Sequence, residues 1–539
     1  MIKLIGRNRL RFFIVSACVT LLGSGLAYSK PKSDLVKEEA GYYYGYGKGS
    51  STEEADFLAK RDLVENALTA TVRLTKPAAQ KITVSDNVVK ARAGDTKPYQ
   101  TSKDGKTVTY RIKVPEWEKN EKVYGEKLRQ TLTPSYESFV SKSSAADKLS
   151  IAAKILSTLA ENGETEILTL QDKGTELFSS KVESACKAIV QNIEISFSES
   201  DKIITSSKSI VVTAKDDEGK PLAGLSLKAL WEIPSEPVIS SGAEVEEVVS
   251  VLKTDASGNV TVDYPVSDDY KNKVVCLTVS TAFSASDYVT SGMRKLDGAS
   301  SVDARYYSVE DINEAFKSAA VTGGKFTTGA IVSDTKASKV REVAREVELA
   351  DYSIDVAPVT NFQYATYLYL TRAETSPEYL DNSDFNAPDQ PIIGVTAGDA
   401  EAYAAWLSEQ TGETYRLPSD DEWEVAARAG AEVIYPWGDD APNKGKKANY
   451  KKNGKFKFTS PVGAFEENTN ALGLVDMAGN VWEWTSTARN ESEESTLRTV
   501  KGGSWMDGPV DLRISNFKNI DGTKTWSDVG FRLVKEISK

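Results

Sequence analysis

The sequence predicts a multidomain α+β protein whose last third is a loop-rich fold, and three observations carry that reading. At 539 residues, the chain is long enough for several domains of about 150 residues each. Its hydrophobic pattern changes character along the way: helical spacing dominates residues 126–194, and short alternating runs dominate residues 195–290. Beyond residue 320, glycines are set between tryptophans, as in Leu472-Gly-Leu-Val-Asp476-Met-Ala-Gly479-Asn480-Val481-Trp482-Glu483-Trp484 and Lys501-Gly502-Gly503-Ser504-Trp505-Met506. Segments of that kind are pinned by buried aromatics rather than by long helices or sheets.

Composition excludes several function classes. A net charge of −12 argues against nucleic acid as a partner, because phosphate binding needs a basic face. Histidine is absent, which removes a Ser-His-Asp triad, His-ligated zinc or iron, and His-ligated haem.

The first 29 residues read as an export signal: Lys3, Arg7, Arg9 and Arg11 precede an apolar run from Phe12 to Ala27, with small residues at Ala27 and Ser29. This places the mature chain in the periplasm or outer cell envelope of a bacterium. The same segment also reads as a lipoprotein box, Val15-Ser16-Ala17-Cys18, in which Cys18 would carry a lipid anchor. No other segment approaches the ~20 apolar residues that span a bilayer. Cys186 on a predicted helix and Cys276 on a predicted strand are expected to be free, buried thiols.

Residues 30–125 read as a small α+β domain. An aromatic strand, Gly41-Tyr42-Tyr43-Tyr44-Gly45-Tyr46-Gly47, leads to a capping box of Ser51 and Glu54. The helix it opens carries Phe57, Val64, Ala67, Leu68 and Val72 on one face. After the Asp104-Gly105 turn, Val108, Tyr110, Ile112 and Val114 alternate as a strand. The Tyr-Gly-Tyr-Gly opening is similar to the N-terminal domain of flagellar assembly protein T and related envelope lipoproteins.

Residues 126–194 form a helical segment. Leu149, Ala152, Leu156 and Leu159 share a face, with a stop at Asn162-Gly163, and Phe178, Val182, Ala185 and Ile189 repeat the spacing. Strands are expected at Ser209–Thr213, Leu225–Trp231 and Gly258–Val262. The Asp216-Asp217-Glu218-Gly219 and Asp255-Ala-Ser257-Gly258 segments between them read as turns rather than calcium loops. The 195–290 region resembles the immunoglobulin-like β-sandwich modules of exported bacterial proteins, which implies a spacer or adhesion role. Residues 291–319 read as a linker with a short helix near Val309–Ala320.

In the last third, Thr396 with Asp399 and Ser419 with Glu422 cap two helices. The first carries Ala400, Tyr403, Ala404 and Leu407 and stops at Gly412. The second turns Trp423, Ala426 and Ala427 inward and stops at Gly430. Trp406, Trp423, Trp437, Trp484 and Trp505 are read as core. Further motifs follow in order: Pro358-Val-Thr360-Asn361-Phe-Gln363-Tyr364, Tyr415-Arg416-Leu417-Pro418, Tyr435-Pro436-Trp437-Gly438 and Gly530-Phe531-Arg532. On these motifs, residues 320–539 resemble the formylglycine-generating enzyme (sulfatase-modifying factor) family, which implies a C-type-lectin-like domain.

The resemblance also implies sites. A family calcium loop matches Asp476, Gly479, Val481 and Glu483, whose carboxylates and carbonyls are the oxygens calcium takes; the same residues also read as hydrogen-bonding groups of a glycine turn. A second calcium loop matches only at Asn449 and Tyr450, and Lys451 and Lys452 then bring the wrong charge. The family oxidase binds copper through two cysteines after its Gly-Gly-Ser motif. Those positions fall at Asp507 and Leu512, and residues 320–539 contain no cysteine. Without thiolates there is no soft site for copper(I). Formylglycine generation is therefore not expected, and the related iron sulfoxide synthases would need histidines. Trp482 and Ser504 match residues lining the family pocket, and Asp507, Asp511 and Arg513 are candidates to line it once vacated.

Three functions follow as expectations. The favoured one is a non-catalytic envelope protein whose last domain binds or assembles with an envelope protein partner. The second is a receptor for a surface ligand, displaying Met506 through Asp528 with Asp507, Asp511, Arg513, Asn516, Lys518, Asn519 and Lys524. The third is an enzyme with a thiol-free pocket.

Overall fold

The computed structural model describes residues 39–75, 86–93, 96–161, 178–205, 208–234, 245–265, 273–282, 298–442, 446–451, 455–488 and 496–537. The expected signal segment, Cys18 and the Asn162-Gly163 stop lie outside the described residues. Among the described residues, no helix is long and apolar enough to cross a membrane.

The chain opens with β1 (Tyr42–Lys48), α1 (Thr52–Thr75), α2 (Asp86–Ala93), β2 (Gln100–Thr101) and β3 (Thr107–Lys113), the strands ordered β1-β3-β2. The alternating glycines of β1 have a direct cause. A Cβ on Gly45 would collide with the backbone of Ala59 and Leu63, and one on Gly47 with that of Ala55 and Ala59. The axis of α1 thus lies hard against the strand, with Ala55, Ala59, Leu63 and Val64 buried between them. Ser51 Oγ accepts from Glu54 N at 3.2 Å, while the return bond to Glu54 comes from Ser50 N at 2.7 Å, one residue earlier than the expected box.

Val114 does not continue the strand. It opens α3 (Val114–Ser141), with proline in the first turn, where a missing N–H is harmless; the helical segment therefore begins well before residue 126. Helices α4 (Ala145–Glu161) and α5 (Phe178–Gln191) follow. Leu149, Ala152, Leu156 and Leu159 are buried as their spacing predicts, whereas on α5 the inward stripe is Val182, Cys186 and Val190, with Ala185 and Ile189 only half-buried.

Eight strands come next: β4 (Glu194–Phe197), β5 (Lys202–Thr205), β6 (Ser209–Lys215), β7 (Ser226–Pro234), β8 (Val245–Lys253), β9 (Asn259–Asp263), β10 (Lys273–Thr281) and β11 (Ser301–Val309). They form a three-stranded sheet, β4-β6-β9, and a five-stranded sheet, β5-β11-β10-β7-β8. Val212, Leu227, Trp231, Leu277 and Tyr306 fill a core that continues into α4 and α5. The acidic segments are turns: Asp216 accepts from the N–H groups of Glu218 and Lys220, and Asp255 from those of Ser257 and Asn259.

The expected 291–319 linker is corrected by β11. Residues 301–309 lie inside the five-stranded sheet, antiparallel to β10 and parallel to β5. The expected helix shrinks to α6 (Ile312–Ala315), followed by β12 (Ser318–Val321). The two faces of β11 serve two cores: Ala304 and Tyr306 enter the two-sheet module, and Tyr307 and Val309 enter the domain that follows. Arg372 braces the junction with Nε and Nη2 both 2.9 Å from Asp201.

That domain contains β13 (Gly324–Thr328), β14 (Arg345–Leu349), β15 (Tyr352–Asp355), α7 (Asn361–Leu370), α8 (Ala397–Thr411), β16 (Tyr415–Arg416) and α9 (Asp420–Arg428). It closes with β17 (Trp482–Ala488), β18 (Leu497–Lys501), β19 (Phe517–Asp521), β20 (Val529–Gly530) and β21 (Val534–Glu536). The sheets are β12-β15-β21-β16 and β19-β18-β17-β20, with a separate β13-β14 hairpin. Reciprocal capping boxes open all three long helices, at Thr360/Gln363, Thr396/Asp399 and Ser419/Glu422. Trp406, Trp423 and Trp484 are core as expected, while Trp437 and Trp505 are half-buried.

Candidate functional site

The site is built at the turn after β18. Gly502 and Gly503 have φ of 98° and 76°, a region L-residues rarely adopt. A Cβ on Gly503 would meet Leu512 and the Asp511 backbone at about 3 Å. The turn places Ser504 beside the start of β17, and Asp507 folds back over it.

Asp507 Oδ2 accepts from Trp482 Nε1 at 2.7 Å, Ser504 Oγ at 2.5 Å and Ser504 N at 3.1 Å. Its Oδ1 pairs with Lys518 Nζ at 2.8 Å, and that ammonium stands 4.5 Å from the Trp482 ring centroid. Ser504 Oγ is also 2.9 Å from Asp528 Oδ2. One hydroxyl carries one hydrogen, so Ser504 can donate to only one of the two carboxylates. Burial raises the Asp528 carboxyl above its ordinary range; the Ser504 hydrogen bond opposes this, and the charge of Asp507 adds to it.

Of the five residues expected to line this pocket, the structure gathers Trp482, Ser504 and Asp507. Asp511 lies in its own loop, accepting from Gly508 N at 3.4 Å. Arg513 is buried elsewhere, with Nη1 2.7 Å from both Asp334 and Glu342, fastening the segment before β14 to the body. Its place in the pocket is therefore corrected: a buried guanidinium goes where carboxylates can neutralise it. Lys518 and Asp528 complete the cluster instead. Both stand in the polar stretch after Met506, but no local pattern distinguishes them from its other polar residues. Leu512, at the second aligned thiol position, is fully buried in a small core with Tyr435 and Ala478.

The expected calcium set is also rearranged. Asp476 is buried, and its Oδ2 accepts from Gly463 N at 2.9 Å and Asn480 Nδ2 at 3.4 Å, while Oδ1 has no hydrogen-bond partner. Glu483 is fully buried and pairs bidentately with Arg532: Nε donates to Oε2 at 2.7 Å and Nη2 to Oε1 at 2.8 Å. Trp423 Nε1 donates to Oε2 as well, at 2.7 Å. Glu483 is thus fully engaged by Arg532 and Trp423, while Asp476 Oδ1 is the carboxylate oxygen of the set left without a partner. Among the described residues, no group of three or more acidic or cysteine side chains is arranged to hold a metal.

Comparison with known proteins locates the resemblance in this domain. Residues 309–537 match the family described as Sulfatase-modifying factor enzyme 1-like domain. The chain is similar to the inactive C-alpha-formylglycine-generating enzyme 2 of Mus musculus, 30% identical over 234 residues that cover 34% of this chain and 73% of that protein. It is similar to the formylglycine-generating enzyme of Mycobacterium tuberculosis, 41% identical over 149 residues covering 22% of this chain and 47% of that enzyme. Among solved structures, PvdO from Pseudomonas aeruginosa is 29% identical, covering 40% of this chain and 93% of that chain at a TM-score of 0.36.

Proposed function

The chain belongs to the sulfatase-modifying factor family through residues 309–537, and we propose that it is a non-catalytic member whose family domain is a binding or assembly module of the cell envelope. The observation that carries this reading is Asp507. It stands where the oxidase's first thiol is expected, and its carboxylate is held by Trp482, Ser504 and Lys518. A carboxylate paired with an ammonium supplies neither the soft ligand copper(I) needs nor a sulfur nucleophile. The mouse relative, described as inactive, supports the same direction. Export rests on the basic and apolar N-terminus, and a presenting role is supported by the firm junction at β11.

The oxidase reading is tested by offering the purified protein copper(I) and a cysteine-bearing sulfatase peptide. The expected outcome is no stoichiometric copper uptake and no aldehyde product by mass spectrometry; conversion of the peptide would overturn the proposal. Mass spectrometry of the mature N-terminus distinguishes a free Lys30 from a lipid-bearing Cys18. For the binding role, cross-linking in intact cells is expected to join residues 309–537 to an envelope protein. A soluble monomer with no cross-linked partner would refute that part. A receptor displaying Met506–Asp528 is less well supported, because Leu512, Arg513, Ile514 and Ser515 in that stretch are buried.

A further inference from the structure

Strand β8 ends the five-stranded sheet. It pairs with β7 without a register shift, from Ser226 opposite Lys253 to Pro234 opposite Val245, and among the described residues no strand lies on its other side. Val248 and Leu252 point toward the two-sheet core. The opposite face carries Val245, Glu247, Val249, Val251 and Lys253, and its valines are 49%, 50% and 60% exposed. Natural edge strands are usually blunted by proline, a bulge or shortness. None of these protects the nine residues of β8, whose protective feature is charge, at Glu246, Glu247 and Lys253.

Charge gives a second observation. Glu247 stands directly across from Glu232 of β7, and like charges opposed across a ladder are unfavourable. A cation on the outer side of Glu247 would relieve the pair.

We propose that β8 is a self-association strand: two copies of this chain pair antiparallel through β8 about a two-fold axis at Ser250, merging their five-stranded sheets. In such a pair, opposed residues share a face, so odd positions meet odd and even meet even. An axis at Ser250 sets Val249 opposite the partner's Val251, Val248 opposite the partner's Leu252, and Glu247 opposite the partner's Lys253. Symmetry supplies each pairing twice. The rows then read Glu232, Glu247 and the partner's Lys253, which places a cation beside the acidic pair. Moving the axis to Val249 sets Glu247 against valine and loses both ion pairs. Moving it to Val251 sets Glu247 against the partner's Asp255. Of these registers, the one centred on Ser250 joins Val249 to the partner's Val251 and Glu247 to the partner's Lys253 together. This inference concerns a different face from the Asp507 cluster and stands independently of it.

The test uses the full chain. Sedimentation is expected to show a concentration-dependent dimer. Lys253→Glu, which sets two acids against two acids, is expected to weaken that dimer about tenfold, and the swapped double variant E247K/K253E to restore it. V249C and V251C chains, mixed and treated with a short bifunctional thiol reagent, are expected to cross-link to each other but neither to itself. All the substituted side chains lie on the outward face, and circular dichroism checks that each variant folds. A wild-type chain that stays monomeric at every concentration would overturn the proposal. So would a dimer that is indifferent to Lys253→Glu, or one that leaves the V249C and V251C pair unlinked, since it would then form through another surface.

Discussion

Residues 194–309 and residues 309–537 share strand β11, but they satisfy their buried polar groups in different ways. The two-sheet module does so with ladders, and its core is aliphatic and aromatic: Val212, Leu227, Trp231, Leu277 and Val279. The family domain has little ladder to offer. Its loops are buried, and side chains take the place of backbone partners: Asn470 serves the carbonyls of Ala426 and Ala427 and the N–H groups of Leu472 and Leu474. Arg532 reaches the carbonyls of Asp355, Val356 and Val475 as well as Glu483. Lys501, 2% exposed, sits 3.0 Å from Glu424. Buried backbone must be paired somewhere. A loop-rich interior therefore recruits asparagines and charged clamps that a sheet does not need.

The strongest way to break this contrast is Arg532→Leu. It leaves the Glu483 carboxyl in the core with Trp423 Nε1 as its remaining donor and removes one donor from each of three carbonyls, so a loss of about 3–5 kcal/mol is expected, read by urea unfolding followed through tryptophan fluorescence. A loss below about 1 kcal/mol would mean the clamp is incidental. In the two-sheet module the matching strike is apolar. Leu277→Ala, at a fully buried position, is expected to cost about 2–5 kcal/mol through lost burial and a cavity, with hydrogen exchange accelerating first in β7, β10 and β11.

Acid should act on individual carboxyls with opposite signs. Burial, the largest single influence, would raise Glu342 and Glu422, but Arg513 with Ser338 and Ser515, and Arg416 with Ser419, together outweigh it and hold both below the ordinary carboxyl range. Their contribution is present above the unfolded value of 4.5 and is lost as pH falls through the lowered folded value. Glu232 in the two-sheet module moves the other way, raised by burial, then by Glu247 and Asp303, and burial raises Asp355 and Asp476 in the family domain likewise, so what these three contribute is lost as pH rises through their raised values. Hydrogen exchange below pH 4.5 is expected to accelerate first in the segments that Glu342 and Glu422 fasten to Arg513 and Arg416. Unchanged exchange there would contradict the clamp picture.

The smallest effect concerns the thiols. Burial pushes Cys186 and Cys276 up to about 12; both are free. Alkylation at pH 8 is expected to label neither in the native chain and both in denaturant. Rapid labelling of Cys276 alone would show that the junction at β11 opens in solution.

Local chemistry made much of this legible. The boxes at Thr396 and Ser419 need only residues three apart, and the α4 stripe needs only helical spacing. The turns at Asp216 and Asp255 close within their own segments. Errors arose where a segment's partner is distant. Ser301–Val309 looks polar and patternless because its two faces enter two different cores, which hides the single-face alternation that marks a strand. On α5, Val182 of the expected stripe is buried, while packing rather than spacing turns Cys186 and Val190 further inward than Ala185 and Ile189.

The chain by itself determined the family motifs, their order and the absence of thiols beyond residue 320, because these are properties of residue identity. Only the tertiary structure decided that Glu483 goes to Arg532, that Arg513 fastens Asp334 and Glu342, and that Lys518 and Asp528 join Ser504 and Asp507. A buried charge takes whichever opposite charge the fold carries to it, and in a loop-rich domain those partners come from segments 11 to 179 residues away.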